Sequence, residues 1–193
     1  MIEIKFPEGD EFVDGSKCLE LEIPWQTEGS IVKEDEVLNE NDYVLEVGTG
    51  GSTLFFARRC GRVTAIETNP EWAAAVHRKV ITSDPDIENV MYIQVSGEAE
   101  IIDIIQKMDT TNITVVSIDP DGQYNRSAML NAFLGKEISP NLRMLVVDNY
   151  AHEGIFPDHY DKIIIDSPEW EVFTYDHERW AGNGTRLYIK KQL

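Results

Sequence analysis

YVLEVGTGGST, residues 43–53, is the stretch on which the reading of this chain turns. Tyr43 to Val47 is a short apolar run bounded by Asp42 and Gly48, the pattern of a buried strand. Three glycines follow, and the spacing then predicts a helix over Thr53 to Cys60 with Ser52 at its N-cap. Glycines at a strand-to-helix turn let the backbone bend sharply and approach a ligand closely. In an open α/β sheet the ligand lies outside the carboxyl ends of the strands, where the strand order reverses. Two common nucleotide loops are excluded here. The dinucleotide fingerprint wants a third glycine where Thr53 stands, and no lysine follows to make a phosphate-binding P-loop.

The same alternation continues along the chain. Val63 to Glu67, Val90 to Val95, Ile113 to Asp119 and Leu142 to Asp148 read as strands. Between them lie helices opened by Asn69–Pro70, by Glu98 and by Arg126, the last running to Leu134. A short helix is also expected near Asp158 to Ile165. Trp170 to Tyr175 and Thr185 to Lys190 are too close together to enclose a crossover helix, so they are expected as an antiparallel pair at the sheet edge. Strands alternating with helices imply a mostly parallel sheet with helices on both faces. No repeat or linker divides the 193 residues, so residues 1–193 are expected as one domain. Residues 1–42 are read as an irregular N-terminal segment and residues 43–193 as the core.

Composition narrows the function. Asp and Glu outnumber Lys and Arg by 35 to 17, a formal charge of −18, and a field of that sign repels phosphate backbones and anionic membrane surfaces. The expectation is a small-molecule partner, with neither nucleic acid nor membrane. The first residues lack a basic start followed by an apolar stretch, and the two cysteines, Cys18 and Cys60, show no metal-type spacing. Both features point to a cytoplasmic protein.

An acid two residues before the first glycine, as Glu46 stands before Gly48, resembles the E/D-x-G-x-G element of class I S-adenosylmethionine-dependent methyltransferases. Val44 to Trp72 is similar to a subgroup whose loop reads G-S-G-x-S-T, and Thr185–Arg186–Leu187–Tyr188 resembles its closing strand. The resemblance implies a Rossmann-like fold of seven strands with an antiparallel edge strand. It implies S-adenosylmethionine as cofactor, whose ammonium and sulfonium suit an acid where a pyrophosphate would not. Cofactor contacts are then expected from Glu46, Gly48, Thr49, Gly50 and Ser52. Glu67, 21 residues after Glu46, would accept the ribose hydroxyls, with Thr68 beside it. Gly97–Glu98, similar to the family's G-D/E-A segment, would reach the adenine, and Asp119 would complete the set. A methyltransferase is thus implied, acting on a small acceptor at oxygen; the alternative is a module that binds the cofactor without catalysis.

The reacting end is expected at Ser117–Ile118–Asp119–Pro120–Asp121–Gly122 and Val147–Asp148–Asn149–Tyr150. This pair resembles metal-dependent catechol- and caffeoyl-type O-methyltransferases, which carry I-D-A-D-K-x-x-Y and then D-N. By that resemblance Asp119, Asp148 and Asn149 would hold Mg²⁺ or Ca²⁺, both of which favour oxygen donors. The family's lysine is missing, since Gly122 and Gln123 follow Asp121. That makes Asp119, Asp148 and His152 the candidate catalytic residues. Asp119–Pro120–Asp121–Gly122 also resembles a degraded D-P-P-Y element of amino-methyltransferases, without its second proline or its aromatic. Trp25 and the aromatics Trp170, Phe173, Tyr175 and Trp180 are candidates to cover the site, with the loop Asp176 to Gly184 as a lid.

Overall fold

The apolar runs of the sequence become the middle of one sheet. The structure, a computed structural model, describes residues 3–8, 13–120, 124–135, 139–150, 167–176 and 184–191. Its strands are β1 (Tyr43–Val47), β2 (Arg62–Glu67), β3 (Val90–Gln94), β4 (Val115–Ile118), β5 (Met144–Asp148), β6 (Trp170–Tyr175) and β7 (Thr185–Lys190). They lie in the order β3-β2-β1-β4-β5-β7-β6. The first five run parallel, and β7 is antiparallel to both β5 and β6. The expected antiparallel pair therefore closes the sheet, with β7 the reversed strand and β6 outermost.

Helices cover both faces. They are α1 (Gly15–Leu21), α2 (Glu28–Val37), α3 (Gly51–Ala57), α4 (Pro70–Ser83), α5 (Glu98–Lys107) and α6 (Arg126–Leu134). Strand residues point alternately to the two faces. Leu45, Val47, Val116 and Ile118 pack against Ile101 and Ile105 of α5 and Met129 and Phe133 of α6. Val44, Val63, Ala65 and Val146 pack on the other face with Cys18, Ile31, Phe55 and Phe56. Burying each large apolar side chain contributes roughly 1.5–3 kcal/mol over leaving it exposed. Cys60 is buried in that second layer, a small apolar residue as its neighbours suggest.

Two local expectations are corrected. Residues 15–37 are not irregular: they hold α1, capped by the Asp14 carboxylate on the Lys17 amide, and α2. Their signal is weak in the sequence because α1 has only 7 residues and α2 buries polar Ser30 and Glu34 beside Ile31. Ser52 is not an N-cap. The helix begins earlier, with Gly50 at the cap position and the Thr53 hydroxyl accepting from the Gly50 amide. Asn69 and Pro70 do open α4 as read, the Asn69 side chain accepting from the Glu71 and Trp72 amides.

Among the described residues, no helix is long and apolar enough to cross a membrane. The expected helix at Asp158 to Ile165 lies outside the described residues.

Candidate functional site

The order of the sheet reverses between β1 and β4, where the chain leaves in opposite directions and a crevice opens. Continuing the register of the last paired residues places Glu67, Gly48, Asp119 and Asp148 in one row across β2, β1, β4 and β5. Three acids thus stand level with one glycine. Gly48 has φ +87, and a Cβ there would lie 2.1 Å from the Asp119 carbonyl oxygen. Only glycine fits that conformation and that approach. Gly51 is constrained differently: a Cβ would lie 2.2 Å from the Ile23 carbonyl oxygen and 2.3 Å from that of Cys18. The glycine turn is therefore clamped under α1.

Above this row lies a cavity of about 410 Å³. Gly48, Thr49, Gly50, Ser52 and Glu67 line one end, with Asn69 and Trp72 beside them. Asp119, Asp148, Asn149 and Arg126 line the other, and Gly15, Cys18 and Trp25 from the N-terminal segment complete the wall. Burial pushes the Cys18 thiol up to about 12, so it is a neutral wall residue. The segment expected to be irregular thus forms part of the candidate site. Trp25 is among the residues that line the cavity. Trp170 packs against one core layer, and Phe173 and Tyr175 against the other, and none of these three lines the cavity.

At the first end the Glu67 carboxylate is held by nearby donors. One oxygen accepts from the Thr49 amide and hydroxyl, each at 2.9 Å. The other accepts from the Thr68 amide at 2.7 Å, the Asn69 amide at 2.8 Å and the Thr68 hydroxyl at 3.3 Å. The Trp72 indole donates to the Thr49 carbonyl at 2.6 Å and pins the loop from the α4 side.

Glu46 is not part of the cavity wall. Alternation sends its side chain to the face of Val44, beneath α3, where it accepts from the Ser52 and Thr53 hydroxyls. Burial pushes its carboxyl up to about 8 against the pull of those hydroxyls. Its role here is to fasten the glycine turn to the start of α3. Thr68, Gly97 and Glu98 also do not line the cavity. Thr68 serves Glu67, while Glu98 accepts from the Asn125 amide at 2.7 Å and joins the start of α5 to that of α6. A Cβ on Gly97 would meet nothing within 4 Å, so no close approach demands glycine there.

At the second end one donor comes from the next residue and the other from far along the chain. Asp148 accepts from the Thr185 hydroxyl at 2.8 Å and from the Asn149 amide group at 2.5 Å. Thr185 in turn accepts from the Thr27 amide. Burial first, then the nearby Asp119 charge, raises the Asp148 carboxyl above the ordinary range. Enclosure also raises Asp119, and Arg126 opposes that shift. The Arg126 guanidinium pairs with Asp119 at 2.6 Å and donates to the backbone oxygens of Pro120 at 3.1 Å and Asp148 at 3.2 Å. In the sequence Arg126 marks only the start of a helix.

The metal expectation finds no support among the described residues. Asp119, Asp148 and Asn149 line the same end of the cavity, with Asp119 Oδ1 paired with Arg126 and the Asp148 oxygens accepting from Thr185 and Asn149. Asn149, in the left-handed conformation at φ 55, turns its amide onto Asp148. No group of three or more His, Cys, Asp or Glu side chains able to hold a metal ion occurs among the described residues. The repulsion between neighbouring carboxylates is relieved by a guanidinium and hydrogen bonds. His152, Asp121, Gly122, Gln123, Trp180 and most of the expected lid lie outside the described residues.

No protein-family model matches the sequence, and no curated protein matches it. Solved structures do. An O-methyltransferase from Bacillus cereus in complex with SAH is 19% identical, with TM-score 0.55 over 77% of this chain and 74% of that one. TomG, an O-methyltransferase from Streptomyces achromogenes in complex with SAM, is 17% identical, with TM-score 0.57 over 79% and 74%. An rRNA methylase from Streptococcus thermophilus is 18% identical, with TM-score 0.53 over 86% and 98%. The same architecture thus serves O-methyltransferases and an rRNA methylase. The chain has the Rossmann-like fold of the class I S-adenosylmethionine-dependent methyltransferases.

Proposed function

We propose that this protein is an S-adenosylmethionine-dependent methyltransferase acting on a small acceptor, at oxygen. The observation that carries the reading is the row of Glu67, Gly48, Asp119 and Asp148 beneath one cavity at the reversal of the sheet. Its volume of about 410 Å³ falls in the usual range for ligand sites. The donor set fits the cofactor. Glu67 supplies acceptors for a ribose diol, and the Thr49 hydroxyl, free to rotate, is the donor that a ribose hydroxyl would displace. Gly48, Gly50 and Ser52 would lie along the cofactor, and acids on the cavity floor suit its positive charge. When bound, the cofactor supplies the electrophilic methyl group.

The protein's own work is then orientation, desolvation and proton handling. Trp25 and Trp72 line the cavity and would screen a bound ligand from water. Asp148, raised towards neutrality by burial, would accept a proton from an acceptor hydroxyl, since a base works best when its pKa lies near the working pH. An overall charge of −18 favours a small acceptor over a polyanion.

Calorimetry tests the cofactor. S-adenosylmethionine and S-adenosylhomocysteine should bind, and should raise the melting temperature as their concentration rises. Binding of NAD with neither of these would sink the reading. Labelled methyl groups incorporated into RNA, with salt-sensitive RNA binding, would replace the small acceptor by a nucleic acid.

A further inference from the structure

We propose that Arg126 is the resident cation of the reacting end, seated where a divalent ion would sit, so that the site needs no metal. The metal-free consequence for methyl transfer rests on the reading above; the seat itself does not.

The argument is one of donor atoms. The Arg126 guanidinium gathers three oxygens from two strand ends: Asp119 Oδ1, the Pro120 carbonyl and the Asp148 carbonyl. A set of carboxylate and carbonyl oxygens is what Mg²⁺, Ca²⁺ and Mn²⁺ select. The Arg126 side chain is only 10% exposed, and its partner Asp119 is 29% exposed. Arg126 opens α6, so the helix backbone fixes where the side chain starts. A guanidinium stays protonated throughout the working pH range, and its planar fork matches several oxygens at once. It offsets the Asp119 charge beside Asp148, which is the electrostatic task a metal would perform. One difference reaches the acceptor. A metal can chelate two adjacent hydroxyls, whereas a guanidinium can only donate hydrogen bonds. The acceptor therefore need not carry a vicinal pair of oxygens.

The test uses the cofactor-free chain and Mn²⁺, followed by electron paramagnetic resonance, with weak binding to the acidic surface subtracted using Asp119→Asn. The wild type should hold no Mn²⁺ that depends on Asp119. Arg126→Met should gain one ion per chain, at least tenfold tighter than any wild-type site, and the double variant with Asp119→Asn should lose it. Should Arg126→Met fail to fold, Arg126→Lys keeps a cation in place and must remain folded and free of Mn²⁺. A stoichiometric, Asp119-dependent ion in the wild type overturns the proposal. So does a folded Arg126→Met that gains none, or an Arg126→Lys that binds the ion. Because no cofactor enters these titrations, their failure is separate from failure to bind S-adenosylmethionine.

Discussion

Glu67 and Asp148 stand in the same row of the sheet, yet their carboxylates are held in different ways. Glu67 takes its donors from its two following residues and from the adjacent glycine turn. Asp148 takes one donor from the next residue, Asn149, and the other from Thr185, 37 residues away, and its neighbour Asp119 depends on Arg126 of α6. The difference separates two kinds of site building. A carboxylate satisfied by its own turn is a local device that the strand end carries with it. A carboxylate satisfied from other elements is ionised or protonated according to how those elements pack, and burial raises Asp148 accordingly.

The sharpest way to break the first end is at its glycines. Gly48→Ala should cost on the order of 3 kcal/mol of stability, because it forces a side chain into a left-handed conformation and onto the Asp119 carbonyl. Gly50→Ala in the same turn should stay within about 0.5 kcal/mol, since the backbone there is extended and the nearest atom is 3.8 Å away. Denaturant unfolding reads both, and equal costs would show that the turn is not organised as described.

Glu67→Ala should weaken S-adenosylhomocysteine binding by about 1–3 kcal/mol, by loss of a charged hydrogen-bond acceptor. Asp148→Asn should leave that affinity nearly unchanged while slowing turnover. Calorimetry on both variants separates the cofactor end from the reacting end, and a comparable loss of affinity in Asp148→Asn would merge them.

Glu34 extends the comparison to an acid with neither solution. It is fully buried on α2, and neither carboxylate oxygen has a hydrogen-bond partner among the described residues. Burial and Asp148 raise its carboxyl well above 4.5, with Arg59 pulling against them. The folded chain therefore keeps a proton that the unfolded chain releases first. Stability is full below about pH 4.5 and falls as pH rises, until Glu34 ionises in the folded state too. Glu46, raised to about 8, adds to the same decline. Glu34→Met should therefore stabilise the protein at pH 8 by about 1–2 kcal/mol and much less at pH 5. A melting curve equally shifted at both values would mean that Glu34 does not titrate in this way.

Asn69→Ala is the smallest of these changes. It removes the cap of α4 and should cost about 1 kcal/mol in stability, with little effect on the second end of the cavity.

Much of this architecture is legible in the sequence because its causes are local. Apolar runs of four to six residues bounded by turn residues became β1 to β5. Asn69–Pro70 opened a helix wherever the chain went next, and Gly48 carried its turn with it. The row of acids was readable as far as spacing goes: Glu67, Asp119 and Asp148 each end or follow a strand. Packing decided the rest. Sheet alternation turned Glu46 under α3 instead of into the cavity, which depends on which face α3 covers. α1 and α2 gain their stability from lying on the glycine turn and the sheet, so residues 15–37 look irregular until that surface exists. Arg126 has no motif of its own. It became the cation of the reacting end only when α6 brought its guanidinium to the ends of β4 and β5, a meeting of residues that no local pattern encodes.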